Sequence, residues 1–302
     1  MGSKEKEGFI KMLVIYALLI CIGFIYLYPI LYMISSSFMT LDDLLDSSIK
    51  WIPSSLNLAN YRSAGSSMDF WKSFGQSIIV AGVPTLCNLA SCSLVGYGIA
   101  RFEFPGKKIV LGIILVSWIL PSQVTMIPTY VLYSNFHILS TIWAFILPAL
   151  LAQGLNSAIF ILIFWQFFRQ TPKVLIEAAS IDGAGYLKSF LRISVPSAAP
   201  AYITVALFSF VWYWNEAYLT KLYVHGVNST NSNSWTTLIV QLDNFSVNYD
   251  KYSQAAESNA VSLNESVRLA GTILSILPLL IMYLFLQRYF IESIDNVGIT
   301  GE

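Results

Sequence analysis

Charge is what this chain has least of. Asp, Glu, Lys and Arg make up 11% of its 302 residues, against 56% for the apolar set from Ala to Trp. Soluble domains carry about 25% charged and about 45–50% apolar residues. With mean hydropathy at +0.63, the apolar excess cannot be hidden in one water-soluble core, because a globule still needs a polar exterior. A soluble enzyme is excluded on that ground, and so is a disordered chain, which needs the opposite composition. The positive and negative side chains balance at 17 each, so no basic field points to nucleic acid. Histidine is nearly missing: His137 and His225 are far apart in sequence, which argues against a histidine metal site. Cys21, Cys87 and Cys92 lie inside apolar runs with no CxxC pair and read as small buried thiols. A phosphate-cradling loop is missing too. It needs Gly, four residues, then Gly-Lys-Ser or Gly-Lys-Thr; the nearest stretch has Arg101 where the first glycine belongs and Lys108 where the hydroxyl belongs. No catalytic constellation and no metal or cofactor site is expected on this chain.

What the sequence does contain is long apolar runs. A spanning helix needs about 20 mostly apolar residues, and six stretches qualify: 9–35, 74–100, 109–130, 141–168, 195–222 and 267–290. The expectation is an all-α integral membrane protein of six transmembrane helices, residues 1–302 forming a single domain in the lipid bilayer. Lys and Arg flanks set orientation. Eleven of the 17 lie in 1–11, 101–108, 169–194 and 288–302, which places both termini in the cytoplasm and the two longer segments, 41–72 and 223–266, outside. Pro121, Pro128 and Pro148 interrupt the third and fourth runs; unwound backbone at membrane depth is tolerated where protein or a water-filled cavity covers it. Small residues in the second run, among them Ala81, Gly82, Gly96 and Gly98, permit close helix approach.

The inside segment 169–194 is too long to be a mere connection. Thr171 suits an N-cap and Pro172 a first helical position, and Gly183 suits a left-handed helix end. A helix over 172–182, about 16 Å long, places Val174, Leu175, Ala178 and Ile181 on one face. A second short helix follows over 186–192. Two readings stand: a docking surface for another protein, or a helix pair lying on the bilayer surface. For a solute path the candidates are Gln123, Asn156, Trp214, Asn215 and Glu216. An ionisable group near a membrane is costly unless it faces water or a partner, but aromatic belts gather at the interface for other reasons, and Asn156 with Ser157 also suits bonding between helices.

The loop also carries a motif: Glu177-Ala178-Ala179, three residues, Gly183, nine residues, then Ile193 and Val195-Pro196. This resembles the E-A-A, G, I-x-L-P signature of the integral-membrane permease subunits of binding-protein-dependent ABC importers, with Val195 where that family has Leu. Ala100–Lys108, Leu120-Pro121, Met126–Pro128, Trp143–Pro148 and Trp214-Asn215 are similar to segments of carbohydrate-importer permeases of the maltose type. The resemblance implies the type I ABC importer permease architecture and a place in a bacterial cell membrane. It implies a second permease subunit forming a heterodimer, two cytoplasmic ATPase subunits that bind the ATP and Mg, and an extracytoplasmic solute-binding protein. It also implies that Glu177, Ala178, Ala179, Asp182, Gly183, Ile193 and Pro196 couple the membrane helices to the ATPase during import of a sugar or oligosaccharide. Another cargo, such as a glycerol-phosphate, polyamine or peptide, would fit the same machinery. An ion-coupled secondary transporter would need buried carboxylates in the spans or inverted repeats, which the sequence lacks.

Overall fold

The computed structural model describes residues 2–48, 51–225, 235–255 and 262–298, and no strand occurs among them. In chain order the helices are α1 (Gly2–Ser37), α2 (Leu41–Leu45), α3 (Ala59–Ser67), α4 (Phe70–Arg101), α5 (Lys107–Ile119), α6 (Ser122–Asn135), α7 (Trp143–Leu150), α8 (Ser157–Gln170), α9 (Lys173–Ile181), α10 (Tyr186–Ser189), α11 (Val195–Ser197), α12 (Ala199–Asn215), α13 (Leu238–Asp243), α14 (Phe245–Ala255) and α15 (Glu265–Gly298). Wider π turns occupy Phe190–Ser194 and Thr220–His225. Three helices are long and apolar enough to cross a membrane alone: Lys11–Ser37, Phe70–Arg101 and Glu265–Phe285. Three sharply bent pairs, α5 with α6, α8 with α9 and α10–α11 with α12, bring the total up to six by length and composition.

The first, second and sixth apolar runs are thus continuous helices, whereas the third, fourth and fifth are broken, for identifiable reasons. Between α5 and α6 the chain turns by 99°. Pro121 lacks an N–H, and its ring drives Leu120 out of the helical region, to ψ 122. The expected span 141–168 is two helices, α7 and α8, separated by a turn in which Ala152 and Asn156 take left-handed φ of 57° and 55°. Inside that turn the Pro148 carbonyl accepts the N–H of Gln153 at 2.8 Å. The expected 195–222 breaks at Ala198, between Pro196 and Pro200, and α12 stops at Asn215. There the Glu216 carboxylate accepts the Leu219 N–H at 2.9 Å, opening the π turn rather than prolonging the helix.

The described residues fall into two compact units, one from residues 1–70 with 244–277 and one from residues 71–243 with 278–302. In the first, Asn60 donates from its buried amide to the Ser37 and Met39 carbonyls, 2.9 Å each, closing the end of α1. Thr40 and Asp43 cap α2 reciprocally; the Ser54 hydroxyl and the Thr40 N–H hold the Asp43 carboxyl below its ordinary pKa. From Lys11 to Tyr32 the α1 side chains are turned outward, with Ile20 71% and Tyr26 76% exposed, as suits a helix whose solvent is lipid or another apolar chain.

The second unit packs α4, α8 and α12 around Phe160, Phe164, Phe168, Tyr97 and Val205, all buried. α4 meets α8 at Gly96, where an added Cβ would stand 2.7 Å from the Phe164 Cβ and 2.9 Å from the Trp165 nitrogen. The small residues of the second run therefore serve close approach at Gly96, while Gly82 and Gly98 face open space. Around mid-helix a buried polar cluster replaces apolar packing. Asn88 and Thr85 each approach the Ser209 hydroxyl at 3.2 Å, and Ser157 donates to the Asn88 side-chain oxygen at 3.1 Å. The Tyr213 hydroxyl accepts the Leu155 N–H at 3.1 Å, satisfying the turn between α7 and α8.

Gly96→Ala is expected to overpack the α4–α8 contact and destabilise the unit by about 1–3 kcal/mol. Thermal unfolding in detergent should show a lowered midpoint, with Gly98→Ala, at a roomy site on the same helix, close to wild type.

Candidate functional site

The segment between α8 and α12 forms a projecting loop. Thr171 closes α8 as its C-cap, and α9 begins after Pro172, whose extended ψ of 131° turns the chain. This corrects the expected N-cap role of Thr171: its hydroxyl lies 3.4 Å from Ser197 Oγ instead. The end of α9 is as expected. Gly183 takes φ +76° with open space around it, so conformation alone demands glycine there. The Gly183 N–H meets the Ser180 carbonyl at 3.1 Å and the Ala184 N–H meets the Ala179 carbonyl at 2.9 Å. These two bonds close the helix in a Schellman arrangement.

Glu177, Ala178 and Asp182 are exposed, and Ala179 is half-buried. Asp182 is the C-cap, its backbone N–H bonded to the Ala178 carbonyl. Val174 is 71% exposed and Ile181 87%, so the apolar face of α9 has none of the described residues over it. The second short helix, expected over 186–192, is cut to α10 and runs into the π turn, where the Val195 N–H bonds five residues back to Phe190. Pro196, lacking an N–H, forces that widening. Ile193 is half-buried and Pro196 exposed on this return segment.

The loop is rooted in aromatic packing. Phe190 is buried beside Tyr97, ring centres 4.9 Å apart, and beside Phe168 at 6.0 Å. Tyr97 meets Phe168 edge-on at 5.5 Å, and Phe102 meets Tyr186 at 5.2 Å. Arg101 donates to the Thr171 carbonyl at 2.9 Å. Sequence reasoning missed this root: nothing near Arg101 in sequence marks a partner in the loop, and no local periodicity pairs Tyr97 with Phe190.

The solute-path candidates sit on separate elements. Gln123 is exposed in the first turn of α6, just past the Pro121 bend. Asn156 is exposed at the left-handed position before α8, and its neighbour Ser157 is buried in the Asn88 cluster. Asn215 is exposed at the end of α12. Trp214 is 4% exposed and packed against Phe74 at 6.3 Å and Phe210 at 5.7 Å. Glu216 is half-buried and engaged in the local bond to Leu219. Among the described residues no three His, Cys, Asp or Glu side chains gather as a metal site would require.

Known proteins resemble this chain over nearly its whole length. Protein LplC of Bacillus subtilis is 30% identical over 282 residues, 93% of this chain and 91% of its own. The arabinooligosaccharides transport system permease protein AraQ of Halalkalibacterium halodurans is 30% identical over 286 residues, 93% of each. A bacterial ABC transporter involved in the import of the acidic polysaccharide alginate has a chain with the same fold, at TM-score 0.78 and 21% identity, over 96% of this chain and 99% of that one. The family of binding-protein-dependent transport system inner membrane components matches residues 93–296, a range that holds the loop, its root and the broken helices. An all-helical, multi-pass membrane chain with that loop and those relatives belongs to the binding-protein-dependent transport system inner membrane components.

Proposed function

We propose that this chain is one of two membrane subunits of an ATP-driven importer for a sugar or oligosaccharide, and that the α9 loop couples it to cytoplasmic ATPase subunits. The observation that carries the reading is the uncovered apolar face of α9, Val174 and Ile181 foremost, on a helix rigidly ended at Gly183. An exposed apolar face beside Glu177 is a docking surface for a folded partner. Small side chains at Ala178 and Ala179 let a partner's groove approach the helix closely, and the Glu177 carboxylate can accept a bond from a basic or amide group there. A seated helix converts motion of the partner into displacement of α8 and α12. ATP and Mg belong to the partner subunits; this chain supplies the grip and the path. An external solute-binding protein would deliver the cargo at the opposite face, and the excess of Lys and Arg in 1–11, 101–108, 169–194 and 288–302 supports cytoplasmic termini.

A neutral, hydroxyl-rich cargo is supported by spans almost free of Lys and Arg. It is supported also by the printed role of AraQ as an arabinooligosaccharides permease. Gln123, Asn156 and Asn215 are the exposed amides available to such a solute; amides both donate and accept, as hydroxyls require.

Two outcomes are expected. Purified in mild detergent from its own host, the chain should carry with it a second permease and ATPase subunits identifiable by mass spectrometry; recovery alone, with no nucleotide-binding chain, would contradict the reading. In proteoliposomes of that assembly, with its binding protein and labelled arabinotriose, maltotriose or diacetylchitobiose as probes, Glu177→Arg and Gly183→Pro should each cut ATP-driven uptake at least tenfold. Proline's fixed φ of about −65° is incompatible with a left-handed position.

A further inference from the structure

Two bends separate the loop from the helices it would move, 74° between α8 and α9 and 78° at Ala198 before α12. A lever hinged at two free bends would flex there and leave the membrane helices still. In this structure a third helix reaches the first bend directly and the second through it. Arg101, the last residue of α4, crosses 70 positions of sequence to donate from a terminal guanidinium nitrogen to the Thr171 carbonyl at 2.9 Å. That carbonyl belongs to the C-cap of α8. It is among the acceptors a helix end leaves open, where a cation also meets the negative end of the helix dipole. The same guanidinium thus closes two helices, α4 by sequence and α8 by contact. Its Nε–H is buried without an acceptor among the described residues.

The tie extends to the second bend. Ser197 donates its hydroxyl hydrogen to the Ser194 carbonyl at 2.9 Å, so at the 3.4 Å contact between the two hydroxyls Thr171 is the donor and Ser197 the acceptor. Ser197 immediately precedes the break at Ala198. One turn before Arg101 on the same face of α4, Tyr97 packs on both Phe168 of α8 and Phe190 of the loop. Resting on the coupling reading above, we propose that Arg101 is a positioning residue for energy coupling. It pins the end of α4 to the Thr171 bend, so that α4, α8 and the loop turn as one body when the loop is pushed.

The test is the number of oligosaccharide molecules carried per ATP hydrolysed, measured in proteoliposomes of the whole assembly with the probe it takes up. Arg101→Met keeps the aliphatic stem and removes the donors. It should leave ATP hydrolysis within twofold of wild type and lower the ratio at least tenfold, while Arg101→Lys, retaining charge and a donor, should restore the ratio to within threefold. A merely structural arginine would lower uptake and hydrolysis together and leave the ratio unchanged, which would overturn the proposal. Should Arg101→Met fail to assemble, Ser197→Ala takes its place, with a threefold lower ratio expected and a wild-type ratio overturning. Glu177→Arg, run in parallel, separates the two levels. If it abolishes uptake while Arg101→Met keeps the wild-type ratio, the pin alone fails; if it changes nothing, the coupling reading fails and the pin with it.

Discussion

A helix that leaves its axis within hydrocarbon uncovers N–H and C=O groups that lipid cannot satisfy. The apolar runs of this chain break repeatedly, at Pro121, at the turn after Leu150 and at Ala198, and its organisation follows from how those openings are closed. The turn between α7 and α8 is closed from within the protein. Its Pro148 carbonyl takes the Gln153 N–H, its Leu155 N–H goes to the Tyr213 hydroxyl, and Asn88 holds Ser157 behind it. Buried polar side chains in an otherwise apolar bundle are expensive unless paired, and here their pairing is what permits a break. A broken helix has a second consequence: its two halves can reorient without unfolding, which is the mechanical property an alternating pathway needs.

The loop between α8 and α12 poses the opposite problem. On the coupling reading proposed above, it would present an apolar face to water until a partner covers it, and transmit force once covered. Presentation is local: Pro172 and Gly183 delimit α9, and the Gly183 turn fixes its end. The footing of the loop is not local: Phe190 is wedged between Tyr97 and Phe168, residues contributed by three different helical segments. The loop is therefore a short amphipathic helix held on a rigid aromatic footing.

That division explains what could be read from the sequence. The apolar runs, the loop and the glycine end of α9 are encoded by composition, period and a single φ requirement, all visible within twenty or so residues. The continuous helices α1, α4 and α15 lie where hydropathy places them. Proline positions marked the broken runs, but whether a proline kinks a helix or splits it depends on what neighbours supply for the freed groups; Tyr213 and Asn88 are more than fifty positions from the turn they satisfy. Trp214 illustrates the same limit. As one of a Trp-Tyr-Trp cluster beside Asn215 and Glu216 it reads as belt or path, and its packing against Phe74 and Phe210 is visible only in the fold. Arg101 is similar: its partner is a backbone carbonyl, which no sequence pattern marks.

The central claim is that the α9 face is covered by a nucleotide-binding partner in the working assembly. Its most direct test is site-specific cross-linking from Ala178→Cys in the whole complex, in a background lacking the three native cysteines. A short bifunctional thiol reagent applied from the cytoplasmic side should join this chain to an ATPase subunit in high yield. Reaction only from the external side, or an Ala178→Cys thiol that remains free to small maleimides in the intact complex with no adduct formed, would contradict the account.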